Sequence, residues 1–516
     1  MIRFISTISM MGLTKRLLCI GLLLGFAGSA GAFSLLGPFK IGANFPEAWQ
    51  GAPFDGRPQG LGYSLAGDIG GPMLPFEGYR WNVPVLTYAF DFTFLQYFGP
   101  QGVSAVEEAF AILNALPPSS QMSPTLTEFS LDTKGQNGTA AAMGLTDLKS
   151  FTLALLVEEM GLANPERFVW GLRGRETGQG FTNYSVIQMN FDPLTIQPTR
   201  YVNGVLYNYV IFDDLGPQGG EWASAVEWYQ LDPLYQPYSS VAGALGGSDF
   251  QLGSSPDLGG FGIGGAFLGT GQYFSGLTRD DAGGLRFLLS TNNLAFDTLL
   301  PTVLPRTAGR FNSPWSPVII SNLFGTNITG ISNIIGTIGT NFTNFVRTAL
   351  RPGLDKITFQ RVSLLGTNFN PITLRYTDRY INLTNGRVVK QPVERLVLQP
   401  DIIFAVRDLG TVFDIPVRSV RSTTANWTNN AALNSISPLG LGGPGTINPP
   451  VIITFSDMVP YFLNLAALEG DVESALFTSG LWGSFDGTDR PPVVYPIYPN
   501  PSALPPGYLE DLIFGR

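Results

Sequence analysis

Histidine does not occur anywhere in the 516 residues. Imidazole is the commonest general base and metal ligand near neutral pH. Its absence removes Ser-His-Asp catalysis, the usual zinc hydrolases and most haem ligation together. Cysteine is nearly as scarce. The one thiol, Cys19, lies in an N-terminal apolar stretch, so the rest of the chain has no disulfide, thiol nucleophile or thiolate metal site. Charge is sparse as well. Asp, Glu, Lys and Arg make up 13% of the chain, about half the share of about 25% usual in soluble domains. The balance is acidic, with 39 carboxylates against 30 cations. Phosphate groups are held by basic surfaces, so neither nucleic acid nor an anionic membrane is the expected partner. No cofactor and no metal is expected.

Apolar residues are plentiful at 44%, as are glycine (62) and proline (39). That combination suits a sizeable core built from many short strands joined by turns. The first 32 residues read as an export signal. Lys15 and Arg16 precede the apolar run Leu17 to Ala27, and Ala30-Gly31-Ala32 offers small residues for cleavage after Ala32. The run is shorter than the roughly 20 residues that span a bilayer. No integral membrane segment is expected once it is removed. Cleavage would take away Arg3, Lys15 and Arg16, leaving 27 cations against 39 carboxylates, a net charge of −12. A large exported chain without disulfides fits a secreted or cell-surface bacterial protein.

Residues 33–79 read as an irregular lead-in rich in Gly, Pro and aromatics. "RWNVPVLTYAFD" alternates as a strand. Val103, Val106, Phe110 and Leu113 then recur at helical spacing until Pro117-Pro118. A strand is expected at "LTEFSLD", and a helix from about Thr146 to Leu162, stopped by Asn164-Pro165. "NYSVIQMNFD" reads as a strand, Asn203-Gly204 as a hairpin turn and "EWASAVEWY" as a short helix. Thr278, with Asp280 and Asp281 behind it, has the form of a capping box opening a helix. Beyond residue 300 the chain is strand-rich. It has a second hairpin signal at Asn385-Gly386 and a weak "GTN" repeat at 325, 339 and 366.

Three of these pieces, in this order, resemble a matrixin-type zinc metalloprotease domain of the metzincin group: "WNVPVLTYAFD" with its following helix, "DLKSFTLALLVEEMGLAN", and "LTRDDAGGLRFLL". The family's middle helix carries HExxHxxGxxH, with three histidines for zinc and a glutamate as general base. Laid on this chain without a gap, the first His position is Ala154, the Glu position Leu155 and the second His position Glu158. The Gly is kept as Gly161, and the third His position is Asn164. The resemblance thus implies a retained frame without metal or catalytic residues. Glu158 and Glu159 are expected to face solvent, with Leu155, Leu156 and Met160 in the core. Met189 is a candidate for the family's methionine turn, although its segment reads better as a strand.

The expected fold class is α+β. A matrixin-like domain occupies 80–299, with an insertion at about 165–276. Antiparallel β-rich modules, sandwiches among the options, follow at 300–436 and 437–516. The leading function is a secreted, non-catalytic binding or surface-assembly protein with a protein or glycan partner or with itself. The alternative is a carboxylate-dependent hydrolase acting on glycans, using among Glu47, Asp55, Asp68, Glu77, Asp213, Asp214, Glu221 and Glu227. "GFGIGG" at 260–265 opens no helix and reads as a turn rather than a nucleotide site. "FDGTD" at 485–489 reads as an Asp-Gly turn or a calcium loop. Sequons stand at Asn137, Asn183, Asn327, Asn341, Asn382 and Asn426.

Overall fold

The structure is a computed structural model. It describes residues 32–38, 69–73, 78–163, 171–178, 181–212, 225–230, 268–306, 345–364, 369–409, 411–412, 415–416, 419–422, 445–457 and 481–496, with single residues between. The signal segment, the "GTN" repeats and "GFGIGG" lie outside them. In chain order, the elements that build the centre begin with β1 (Val85–Phe90), α1 (Phe92–Ala115), α2 (Leu148–Glu159) and α3 (Arg279–Leu289). Then come β2 (Ala295–Thr298), β3 (Val303–Pro305), β4 (Thr348–Arg351), β5 (Thr358–Arg361), β6 (Ile372–Asn382), β7 (Arg387–Val397), β8 (Ile402–Arg407), β9 (Ser419–Ser422) and β10 (Val451–Ser456). The mixture of helices and largely antiparallel sheets is α+β.

The central sheet has the order β5-β1-β8-β10-β9. Its first four strands run parallel, and β9 closes the edge antiparallel. In β1, Leu86, Tyr88 and Phe90 alternate with Thr87 and Ala89, and nearly all of it is buried. β8 and β10 read "IIFAVR" and "VIITFS", the continuous apolar runs of strands covered on both faces. That is the physical reason the antiparallel reading of these segments does not hold. Nor do the boundaries at 299/300 and 436/437 mark off separate sheets, because this one sheet takes its strands from all three segments. The antiparallel expectation is met instead in a second sheet, β2-β4-β6-β7-β3, built around the long hairpin β6–β7.

Asp91 ends β1 and caps α1, its carboxylate accepting from Phe94 N at 3.0 Å and Thr93 Oγ1 at 2.5 Å. The helix thus begins eleven residues before Val103. Its backbone breaks at Gly99 (φ 62°) and resumes at Pro100, where proline is tolerated in a first turn. One face of α1 meets the sheet in an aromatic core. Tyr88 stacks on Phe110 at 3.8 Å, and Phe404 stacks on Phe90 and Phe455 at 5.5 and 6.3 Å.

Buried ion pairs brace the second sheet and its junction with the central one. Arg80 reaches Asp297 at 2.8 Å and Arg351 reaches Asp378 at 2.9 Å. Arg395 pairs with Asp401, which also accepts from Thr87 N at 2.8 Å. Two stretches of the lead-in are strands. Ser34–Pro38 pairs with Ile69–Met73 and with Leu162–Ala163. Two local expectations fail. Residues 225–230 form a strand on Val205–Phe212 rather than a helix, because "AVEWYQ" is β-branched and aromatic enough to pair when a partner strand is offered. "LTEFSLD" is a run of turns, the strand falling at Lys134–Gln136 instead.

Candidate functional site

The motif helix α2 is anchored at its first residue. Asp147 caps it, accepting from Ser150 N at 2.9 Å and Ser150 Oγ at 2.5 Å. Ser150 Oγ in turn accepts from Phe274 N at 2.7 Å. Gly483 pairs with Asp147 across a short parallel bridge, and Phe485 N approaches the same carboxylate at 3.4 Å. Burial raises the Asp147 carboxyl to about 6, against the pull of Lys149 and the Ser150 bonds.

From Phe151 to Glu159 every side chain of α2 is buried. A helix enclosed all round belongs to a core, not to the floor of a cleft. Ala154 and Leu155 have no exposure. Glu158 has 5% and Glu159 1%. The two glutamates therefore do not face solvent as expected; both are turned inward and engaged with the rest of the chain. Leu156 and Met160 join the core as expected.

The helix ends at Gly161, with φ +105°. A Cβ there would stand 2.3 Å from the Tyr79 carbonyl oxygen, so both the backbone sign and the close approach require glycine. Gly161 O accepts from Leu36 N at 2.9 Å, and Trp81 Nε1 donates to Glu159 O at 2.7 Å. The lead-in and the segment just before β1 thereby close over the end of the helix. Asn164 lies outside the described residues.

α3 opens with the full capping box, Thr278 N donating to Asp281 at 2.9 Å. The hairpin turn at Asn203-Gly204 docks on it. Asn203 N donates to Asp280 at 2.6 Å, Asp280 N to Asn203 Oδ1 at 3.1 Å, and Asn203 Nδ2 to Thr278 Oγ1 at 3.1 Å. Two motifs read separately in the sequence form one buried cluster. Met189 lies beyond the strand that ends at Ile187, in the core, its carbonyl accepting from Ser34 Oγ at 2.9 Å.

Asp486 of "FDGTD" turns back on Thr488, whose N and Oγ1 donate to it at 2.8 and 2.5 Å. These bonds hold its carboxyl below the ordinary range. This is the Asp-Gly turn of the sequence reading. Of the sequons, Asn137 is buried and caps the helix Gly138–Ala142, while Asn382 stands at the tip of the β6–β7 hairpin. Asn183 lies in the strand Phe181–Ile187, and Asn327, Asn341 and Asn426 fall outside the described residues. So do the glycosidase candidates Glu47, Asp55, Asp68, Glu77, Asp213, Asp214 and Glu221. Glu227 is placed only as a residue of the strand Ala225–Gln230. Among the described residues, no group of three His, Cys, Asp or Glu is arranged to hold a metal ion, and no helix is long and apolar enough to cross a membrane.

The residues that sequence reasoning passed over are Asp147 and Ser150. Their spacing, an Asp three residues before a Ser at the head of an apolar run, is the signal that marks them as a cap. Compared with known protein families, curated proteins and solved structures, the chain matches none of them.

Proposed function

We propose that the chain is an exported, non-catalytic protein on a matrixin-like frame, acting by binding a protein or glycan or by building a surface assembly. One observation carries the reading. The positions corresponding to the first zinc histidine and the general base are Ala154 and Leu155, both with 0% exposure. A methyl group has no lone pair to offer a metal, and an isobutyl group cannot take a proton from water. Both side chains fill core space that a substrate would have to enter. The retained frame supports the family likeness: the capped start at Asp147 and the sharp glycine turn at Gly161 fall where the motif places them.

The test is zinc determination on the purified protein together with a casein and peptide-library cleavage assay, for wild type and Glu158→Gln. The expected result is no stoichiometric zinc and no cleavage that responds to the substitution. Zinc held one-to-one, or cleavage abolished in Glu158→Gln, overturns the reading. Light scattering over a wide concentration range addresses assembly. A clean monomer throughout counts against that half.

A further inference from the structure

The tip of the β6–β7 hairpin combines two features. The first is apolar. Leu383 and Val388 are 68% and 57% exposed, the highest values of any large hydrophobic side chain described, and they stand five residues apart on one turn. The second is cationic. Arg379 and Lys390 lie directly opposite each other on the two strands, both exposed, and Arg387 stands at the tip. Further down the same face, Arg375 and Arg306 share the single carboxylate Glu394 at 2.9 and 3.8 Å. Arg379 also lies near the Asp355 carboxylate, which Ser119 and Ser120 bond and whose charge partly offsets that of Arg379, so Arg387 and Lys390 are the freer cations of the tip. Among the described residues, Arg387 and Lys390 make no ion pair.

Like charges opposed across a strand pair destabilise it. Exposed Leu and Val gain nothing for the fold. A local arrangement that works against stability without an internal return marks a surface kept for something outside the molecule. The turn is also held in shape. Gly386 N donates to Asn382 O at 2.8 Å, Thr384 N to Asn382 Oδ1 at 2.9 Å and Arg387 N to Asn385 Oδ1 at 3.0 Å. Leu383 is therefore presented outward rather than folded back.

We infer that this tip docks on a lipid surface carrying anionic headgroups, Leu383 and Val388 entering the interfacial region while Arg379, Arg387 and Lys390 meet the headgroups. A second copy of the chain is the poorer occupant. Among the described residues, beyond Ile381, which pairs with Leu350 of β4, only a single turn projects, far less surface than the roughly 1,200 Å² of a stable protein interface. A membrane needs no complementary groove. The acidic net charge of the whole chain does not forbid this contact, because charges beyond a Debye length of about 8 Å are screened at physiological salt. The tip is distant in sequence from α2, and the inference holds whether or not that helix is a vestigial protease motif.

Vesicle co-sedimentation of the purified protein tests it, with phosphatidylcholine vesicles that contain or lack phosphatidylglycerol. The Leu17–Ala27 run is itself apolar, so the readout is the difference between wild type and tip variants made in the same chain. Arg387→Gln with Lys390→Gln is expected to weaken binding to anionic vesicles about 30-fold, since each cation near such a surface adds about a factor of five. Leu383→Ser with Val388→Ser is expected to weaken it about tenfold, and added salt to weaken wild type. Both variants should melt at or slightly above the wild-type temperature, which separates lost docking from lost folding. Equal partition of wild type and both variants overturns the inference. So does tight binding to a soluble acidic polysaccharide that survives the Leu383→Ser and Val388→Ser changes. So does a self-association, seen without vesicles, that the tip variants abolish.

Discussion

Asp147 shows how much one side chain can hold. It caps α2, shares Ser150 with the Phe274 backbone and faces the Gly483–Phe485 segment, all without solvent. Its carboxyl is raised from 3.8 to about 6 chiefly by burial. A carboxyl whose folded value lies above its unfolded one favours folding in its protonated form. That contribution is complete below about pH 4 and is lost as pH rises through about 6. Asparagine caps helices as well as aspartate and does not ionise. Asp147→Asn should therefore gain on wild type in unfolding free energy between pH 4 and neutrality, as followed by urea titration at each pH. A difference that stays flat over that window would show that the carboxyl is not strained by its burial. Gly161 is the second single-residue constraint. Gly161→Ala must bear a positive φ and a Cβ 2.3 Å from the Tyr79 carbonyl. A loss of about 3 kcal/mol is expected, read as a lower urea midpoint at unchanged slope.

At the scale of elements, local signals were legible where the chain settles its own conformation. Thr278 with Asp281 announced the start of α3, and Asn203-Gly204 announced a hairpin. Both stand as read, with φ of 44° and 84° at the turn residues. What could not be read was their meeting, since 75 residues separate Asn203 from Thr278 and nothing periodic links them. The same limit explains the misread strand at 225–230, whose conformation follows from the partner strand Val205–Phe212. At α2 the pattern gave the helix but set its stop at Asn164-Pro165, whereas the helix ends at Glu159 and the chain turns at Gly161. The pattern did not give the inward turn of Glu158 and Glu159, which depends on the lead-in closing over them. The docked turn yields a prediction. Asn203→Ala removes the two side-chain hydrogen bonds to the start of α3, with Thr278 Oγ1 and Asp280 N, and places alanine at positive φ. The backbone N–H bond to Asp280 survives the substitution only if the turn keeps its shape. A cost of about 2 kcal/mol is expected, with faster amide exchange in the first turn of α3 than in α1. Uniform exchange in both helices would mean the turn does not support the cap.

At the scale of the whole molecule, the chain does not fold as a string of modules. β1 comes from the first third of the sequence, and its two neighbours in the sheet, β5 and β8, lie some 270 and 310 residues further on by pairing of Val85 with Thr358 and Tyr88 with Ile402. Separate modules looked natural in the sequence because texture changes near residue 300 and again near 437. Composition follows surface and loop chemistry, however, while sheet membership follows apolar runs that read alike in all three segments. The buried Arg395–Asp401 pair strengthens the dependence, because Asp401 also fastens Thr87 of β1. A fragment covering residues 33–299 would therefore carry β1 with both its edges unpaired and α1 with most of its aromatic partners missing, Phe359, Phe404, Phe455, Trp482 and Tyr495 among them. Exposed edges of this kind aggregate rather than fold. The fragment is expected to bind a hydrophobic dye, to lack near-ultraviolet circular dichroism and to melt without a cooperative transition. Adding residues 345–457 in trans should restore some of the dichroism, since they contain the missing strands β5, β8 and β10. A fragment 33–299 that melts cooperatively alone would show that the first segment has a core sufficient to itself, and that the shared sheet is an accessory to it rather than the centre of the fold.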